Sequence, residues 1–269
     1  MKKIFSIIGF ITIICMSYII SNKTTTVVKD IDTLLTELKS QIKKYEQQPI
    51  NAKIKNNTII PGLYGKKINI DKTYKELKKI GMINEKYFIY DEIKPEISIE
   101  KQYNKYIISG NPEKKMISII ILVQEDDNIS RILEIIEKNE IKVNFFIDDE
   151  WLKNNQEQFN EIIKKGQFIN NNNFKIQNYC YTEEENPKIL ESCNEQKKYT
   201  IKPEIIISNN PLKELKKKIK SGSIISLSIN ETTEKELELM VNYINTKGYK
   251  IETLSNHLSE KNITKENKN

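Results

Sequence analysis

Histidine is almost missing from this 269-residue chain; His257 is the only copy. A metal site built from several imidazoles is therefore excluded within one chain, and a Ser-His-Asp arrangement has only His257 to run through. Arginine is as scarce. Arg131 stands alone among 43 basic residues, the rest being lysine. Nucleic-acid readers rely on the bidentate guanidinium fork, so the composition speaks against a nucleic-acid partner despite a formal net charge of +6. No internal repeat period is visible, which excludes a solenoid. A 38% hydrophobic content excludes a wholly disordered chain and suffices for a real core.

What is present begins with Met1-Lys2-Lys3 and an uncharged apolar run from Ile4 to Ile20, about 17 residues and at the short end of a spanning helix. Leading lysines favour a cytoplasmic N-terminus with the remainder exported. The run reads as a single-pass signal anchor over residues 1–21; a signal peptide cleaved near Ser21 is the alternative. Either reading places the body of the protein outside the cytoplasmic membrane. Cys180 and Cys193 would then lie in an oxidising space where a disulfide is permitted, the alternative being two unpaired core thiols.

Val28, Ile31, Leu35, Leu38, Ile42 and Tyr45 recur at alternating spacings of three and four. This juxtamembrane segment, 22–50, is either a heptad seam for a homodimer through 28–45 or one amphipathic helix lying on its own protein. Residues 51–111 read as a small mixed α+β lobe. Asp71 is an expected N-cap there, Gly81 an expected C-cap, and Tyr87 to Tyr90 a short strand. From 112 to 258 strand and helix alternate. Ile117–Val123, Val143–Ile147, Phe168–Ile169, Ile205–Ile207, Ile224–Ile229 and Tyr249–Leu254 are expected strands; Glu150–Lys165 and Thr233–Thr246 are among the expected helices. Such alternation indicates an α/β domain with a parallel sheet. A polar tail, 259–269, closes the chain.

Within that domain three stretches resemble the polysaccharide deacetylases, carbohydrate esterase family 4. They are Lys142–Ile147 with Glu150-Trp151-Leu152 and Glu161–Gly166, then Ser221–Leu227, then Lys247–Ser255. The resemblance implies a distorted, incomplete (β/α) barrel. It also implies metal-assisted amide hydrolysis on N-acetylated sugars, with an Asp and two His holding the metal, a second Asp as base and a late His as acid. Here Leu122 and Val123 stand at the two Asp positions, Asn172 at the first metal His, a residue near Ile176 at the second, and Ser228 at the late His. None of these can replace imidazole or carboxylate at such a site. A shifted register would instead offer Asp126-Asp127, which reads better as a loop into a helix cap. His257 reads as a solvated helix-face residue.

The sequence therefore predicts a membrane-anchored, extracytoplasmic deacetylase-like protein without catalytic residues, metal or cofactor. Its expected role is glycan binding or scaffolding at the cell envelope. Asn170, Asn171 and Asn172, with Tyr179 and Tyr181, are the candidate sugar-binding residues at the barrel rim, because amides donate and accept and rings stack. Trp151 and Phe174 lie near the same rim, Trp151 reading better as a packing residue. Two alternatives stand beside this. One is an altered hydrolase using Glu150, Glu183, Glu184 or Glu185; the other is a structural protein self-associating through 28–45.

Overall fold

The computed structural model describes residues 11–21, 32–170 and 179–261. Residues 11–21 are helical with exposed side chains. Among the described residues no helix is long and apolar enough to cross a membrane; residues 4–10 of the apolar run lie outside them. In chain order the described strands are β1 (Lys53–Lys55), β2 (Thr58–Ile60), β3 (Gly65–Ile68), β4 (Tyr90–Ile93), β5 (Tyr106–Ile107), β6 (Met116–Val123), β7 (Asn144–Ile147), β8 (Phe168–Asn170), β9 (Tyr179–Tyr181), β10 (Tyr199–Ile201), β11 (Ile205–Ile207), β12 (Ile224–Ser228) and β13 (Lys250–Ile251). The chain divides into two compact units: residues 1–48 with 65–93, and 49–64 with 94–269.

In the smaller unit the helix Thr33–Tyr45 starts at Asp32, whose carboxylate accepts from the Leu34 and Leu35 N–H groups. A second helix, Ile70–Ile80, is capped by Asn69 rather than by Asp71, and Gly81 ends it at φ +74°. Asn69 wins because its amide also donates to Asp91 at 3.0 Å, which holds the carbonyl oxygen toward the Lys72 N–H. β3 and β4 pair antiparallel across the intervening helix. Tyr87 belongs to a single helical turn, Glu85–Tyr87, and the strand begins only at Tyr90. Leu35, Leu38, Tyr74, Leu77 and Phe88 make the core, with Ile42 and Tyr45 packed against it. The described part of the Val28–Tyr45 stripe is thus covered within its own unit, while Val28 and Ile31 lie outside the described residues.

The larger unit is α/β. One sheet runs β11-β12-β6-β7-β8, with β13 pairing the start of β6, and every pair in it is parallel. The other runs β1-β2-β5-β10-β9, parallel except for β1 against β2. β1, β2 and β5, expected in the 51–111 lobe, belong to this second sheet. β2 finds its partner in β5 and β5 in β10, so ladder hydrogen bonds override sequence proximity.

β6 explains the architecture. Ile117, Ile119, Ile121 and Val123 point outward into a core with Ile132, Leu133, Ile136, Leu237 and Val241 of the covering helices. Ile120 and Leu122 point inward, toward Ile59, Ile107, Ile201 and Ile224 of both sheets. A strand buried on both faces needs this continuous apolar run, and each fully buried Ile contributes about 1.5–3 kcal/mol. The two sheets enclose the inner layer as an incomplete barrel.

Two expected elements end early. The Glu150–Lys165 helix breaks into Asp149–Asn154 and Gln156–Lys164 at Asn155. The final strand is only Lys250–Ile251, because the Thr253 side chain accepts from the Asn256 N–H and starts a helix, Leu254–Leu258. That short helix enters the barrel interior with Leu254 and Leu258, and the Asn144 side-chain Oδ1 accepts from the Leu254 N–H at 3.2 Å.

Candidate functional site

Parallel pairing sets one row of residues across the C-terminal ends of four strands. Ser228 pairs with Leu122, Leu122 with Phe146, and Phe146 with Asn170. Paired residues in a parallel sheet point to the same face, and this row faces the barrel interior, where Leu122 and Phe146 pack in the inner core. From the opposite sheet Tyr181 brings its ring to 5.4 Å from Phe146. Its hydroxyl shares a 2.8 Å hydrogen bond with Ser226, a fully buried residue on the same inner face of β12. Burial pushes the Tyr181 phenol up to about 12, so it stays protonated at neutral pH. Among the described residues the mouth of the barrel is therefore lined by a leucine, a phenylalanine and a tyrosine, all half-buried, with neutral hydroxyls and an amide beside them.

The expected site residues are distributed as follows. Leu122 and Ser228 meet at the mouth; Val123 faces the helix-packed outer core instead, because neighbours along a strand alternate sides. Asn170 is buried in the row, whereas Asn171, Asn172, Phe174 and Ile176 lie outside the described residues. Tyr181 reaches the mouth. Tyr179, two residues earlier, lines a cavity at the other end of the strand and hydrogen-bonds Ser255. Trp151 is fully buried and donates from its indole to the Asp127 carbonyl at 2.7 Å. The Asp127 carboxylate accepts from the Gln124 N–H at 2.7 Å, closing the loop after β6. Glu150, Glu183, Glu184 and Glu185 are exposed; Glu150 pairs with Lys153, and Glu183 stands 3.4 Å from the Tyr181 hydroxyl. Cys180 and Cys193 are joined in a disulfide, with Cα atoms 6.4 Å apart.

Phe146 and Ser226 were not singled out by sequence. The signal for them is the two-residue period: once Leu122 is placed inward on β6, the matching registers of β7 and β12 bring Phe146 and Ser226 to the same face.

His257 is the clear correction. It is fully buried, not solvated. The Ser118 hydroxyl donates to the Glu252 carbonyl at 2.8 Å, so it accepts the Nδ1–H of His257, also at 2.8 Å. The ring is thereby fixed with Nε2 unprotonated, and Nε2 finds no partner among the described residues. The ring lies so close to Gly110 that a Cβ there would stand 2.2 Å from Nε2. Burial, with the nearby Lys114 ammonium, pushes its pKa down to about 3. Ser118 sits near the start of β6, so this pair is at the end of the barrel away from the mouth.

A divalent transition ion at the mouth would require carboxylate, imidazole or thiolate donors. The row itself supplies none; beside it the Glu183 carboxylate, 3.4 Å from the Tyr181 hydroxyl, is a single exposed donor, and among the described residues no three His, Cys, Asp or Glu side chains cluster. The residues do not fit the metal that the family resemblance implies.

No protein-family model matches the chain. The uncharacterized protein YlxY of Bacillus subtilis strain 168 is 28% identical over 282 residues, covering 90% of this chain and 88% of that one. Wild-type BA3943, a carbohydrate esterase family 4 pseudoenzyme from Bacillus anthracis, superposes with a TM-score of 0.68 at 22% identity, over 86% of this chain and 97% of its own. A mutant of BA3943 with restored enzymatic activity gives 0.67 at 21%, over 86% and 100%. The Bc1960 peptidoglycan N-acetylglucosamine deacetylase gives 0.51 at 15%, over 58% and 95%. The inner row at the strand ends and the parallel sheets around it are thus set in the fold of the carbohydrate esterase family 4 polysaccharide deacetylases.

Proposed function

We propose that this chain is a degenerate polysaccharide deacetylase, exported and anchored at the cell membrane, that binds or scaffolds envelope glycan without hydrolysing it. The observation that carries the reading is the row Ser228–Leu122–Phe146–Asn170. It fills the place where the reaction needs a metal and a base with groups that neither ligate such an ion nor take a proton. The likeness to a pseudoenzyme of the same fold supports it. Glycan is the substrate of a protein of that fold, the peptidoglycan N-acetylglucosamine deacetylase named above, which is why glycan is the ligand class proposed.

The test is acetate release. The full chain, purified and supplied in turn with Zn, Co or Ni, is incubated with N-acetylglucosamine hexamer. The expected outcome is no acetate above a protein-free control and no stoichiometric metal after desalting. Acetate production with one bound metal per chain would overturn the proposal.

A further inference from the structure

The larger unit contains a cavity of about 280 Å³ at the end of the barrel opposite the mouth. Tyr179 and Tyr199, the first residues of β9 and β10, form one wall, and Tyr64 contributes another ring. Ser255 and Ser259, from the terminal helix and the residue after it, lie across from them. Ile99, Ile107 and Leu258 supply aliphatic surface. The direction of β9 fixes the location: its last residue, Tyr181, touches mouth residues Phe146 and Ser226, while its first, Tyr179, bonds Ser255.

Four charged residues line the cavity: Lys94, Glu100, Glu260 and Lys261, whose ammonium stands 6.0 Å from the centre of the Tyr64 ring. Lys94 is ion-paired with Glu100. The buried Glu260 carboxylate accepts from the Gly62 N–H at 2.7 Å, the Ile99 N–H at 2.9 Å and the Ser98 hydroxyl. Beside the Lys261 ammonium, the walls present ring faces, aliphatic carbon and neutral hydroxyls. Tyr199 is held in place by Tyr103 at 4.8 Å and Tyr179 at 6.4 Å, and burial raises its phenol to about 12, keeping the proton on.

Such a lining is mostly uncharged. It suits a neutral ring with an apolar face, several hydroxyls and a small apolar substituent, since stacked rings give area and hydroxyls give orientation. The volume is near the lower end of small-ligand sites, about 300 Å³ and upward, which fits one sugar unit. We propose that this cavity binds an N-acetylated hexose unit of a glycan, at a site separate from the filled mouth. The proposal rests on the glycan-binding reading and gives it a location away from the Leu122–Phe146 row.

The test is calorimetric titration of the full chain with N-acetylglucosamine hexamer, alongside co-sedimentation with insoluble peptidoglycan. Tyr64→Ala and Tyr199→Leu, each checked by thermal melting, report on the cavity; Phe146→Leu reports on the mouth. The expected result is binding by the parent, weakened at least tenfold by Tyr64→Ala or by whichever of the two cavity variants stays folded, and unchanged in Phe146→Leu. Binding lost in Phe146→Leu but intact in both cavity variants would overturn this site and leave glycan binding standing. So would peptidoglycan co-sedimentation that persists in the cavity variants. No binding of either glycan by the parent would overturn both proposals.

Discussion

His257 is the residue whose environment departs furthest from its sequence expectation. A lone histidine in a polar-looking Ser-Asn-His stretch reads as a surface residue. Here it is buried neutral, held by Ser118 and pressed against the backbone at Gly110. The close approach requires glycine there, and Gly222 completes it: its carbonyl accepts from the Gly110 N–H at 2.8 Å, and its φ is +89°. The buried ring makes stability pH-dependent. An unfolded histidine titrates near 6.5, while the folded ring is pushed to about 3. The unfolded chain therefore takes up the proton first as pH falls. The stabilising term is fully present above pH 6.5 and is lost progressively between 6.5 and 3, with a slope of up to about 1.4 kcal/mol per pH unit. Urea unfolding between pH 7 and 4.5 should show this loss in the parent and a shallower slope in His257→Gln. Equal slopes in the two proteins would place the acid sensitivity elsewhere.

Among elements, β9 and the helix Pro187–Glu195 depend on one covalent tie. Cys180 lies on β9 and Cys193 in the last turn of the helix, 13 residues apart in sequence. Closing a loop of that size in the unfolded chain stabilises by about 3 kcal/mol. Replacing both cysteines by serine should lower the unfolding free energy by about 2–3 kcal/mol, and dithiothreitol should lower the parent to the same level while leaving the double variant unmoved. The element order shows what the sequence could and could not reveal. β6 was legible because Ile117–Val123 is apolar without interruption, as a doubly buried strand must be. β10 was not: Tyr199–Ile201 is three residues after a lysine pair, and its partner β5 is Tyr106–Ile107, far away in sequence. The helix break was also hidden. Asn155 sits at φ −123°, ψ 44°, outside the helical region, and both its backbone N–H, at 2.9 Å, and its side-chain amide, at 3.0 Å, donate to the Trp151 carbonyl and cap the first helix. Helix period and apolar spacing continue smoothly through it.

At the scale of the whole molecule, the pairing of Leu122 with Ser228 at the strand ends was legible, because short motifs place them by register alone. The cavity at the other end was not, because Tyr64, Tyr179, Tyr199 and Ser255 converge only after both sheets and the terminal helix are assembled. Compartment is the remaining whole-molecule property, and the disulfide gives it a handle. A Cys180–Cys193 bond persists only where no glutathione or thioredoxin system reduces it, so an exported domain and an oxidised pair should occur together. Cys15 is removed first, as Cys15→Ser, leaving the pair as the only thiols. Cells are then quenched in acid and labelled with a maleimide polymer, with and without prior reduction. Export predicts no labelling before reduction and two labels per chain after it, together with digestion of the domain by protease added to intact spheroplasts. Labelling of both thiols without reductant, in a chain that protease cannot reach, would place the domain in the cytoplasm and remove the envelope from its proposed function.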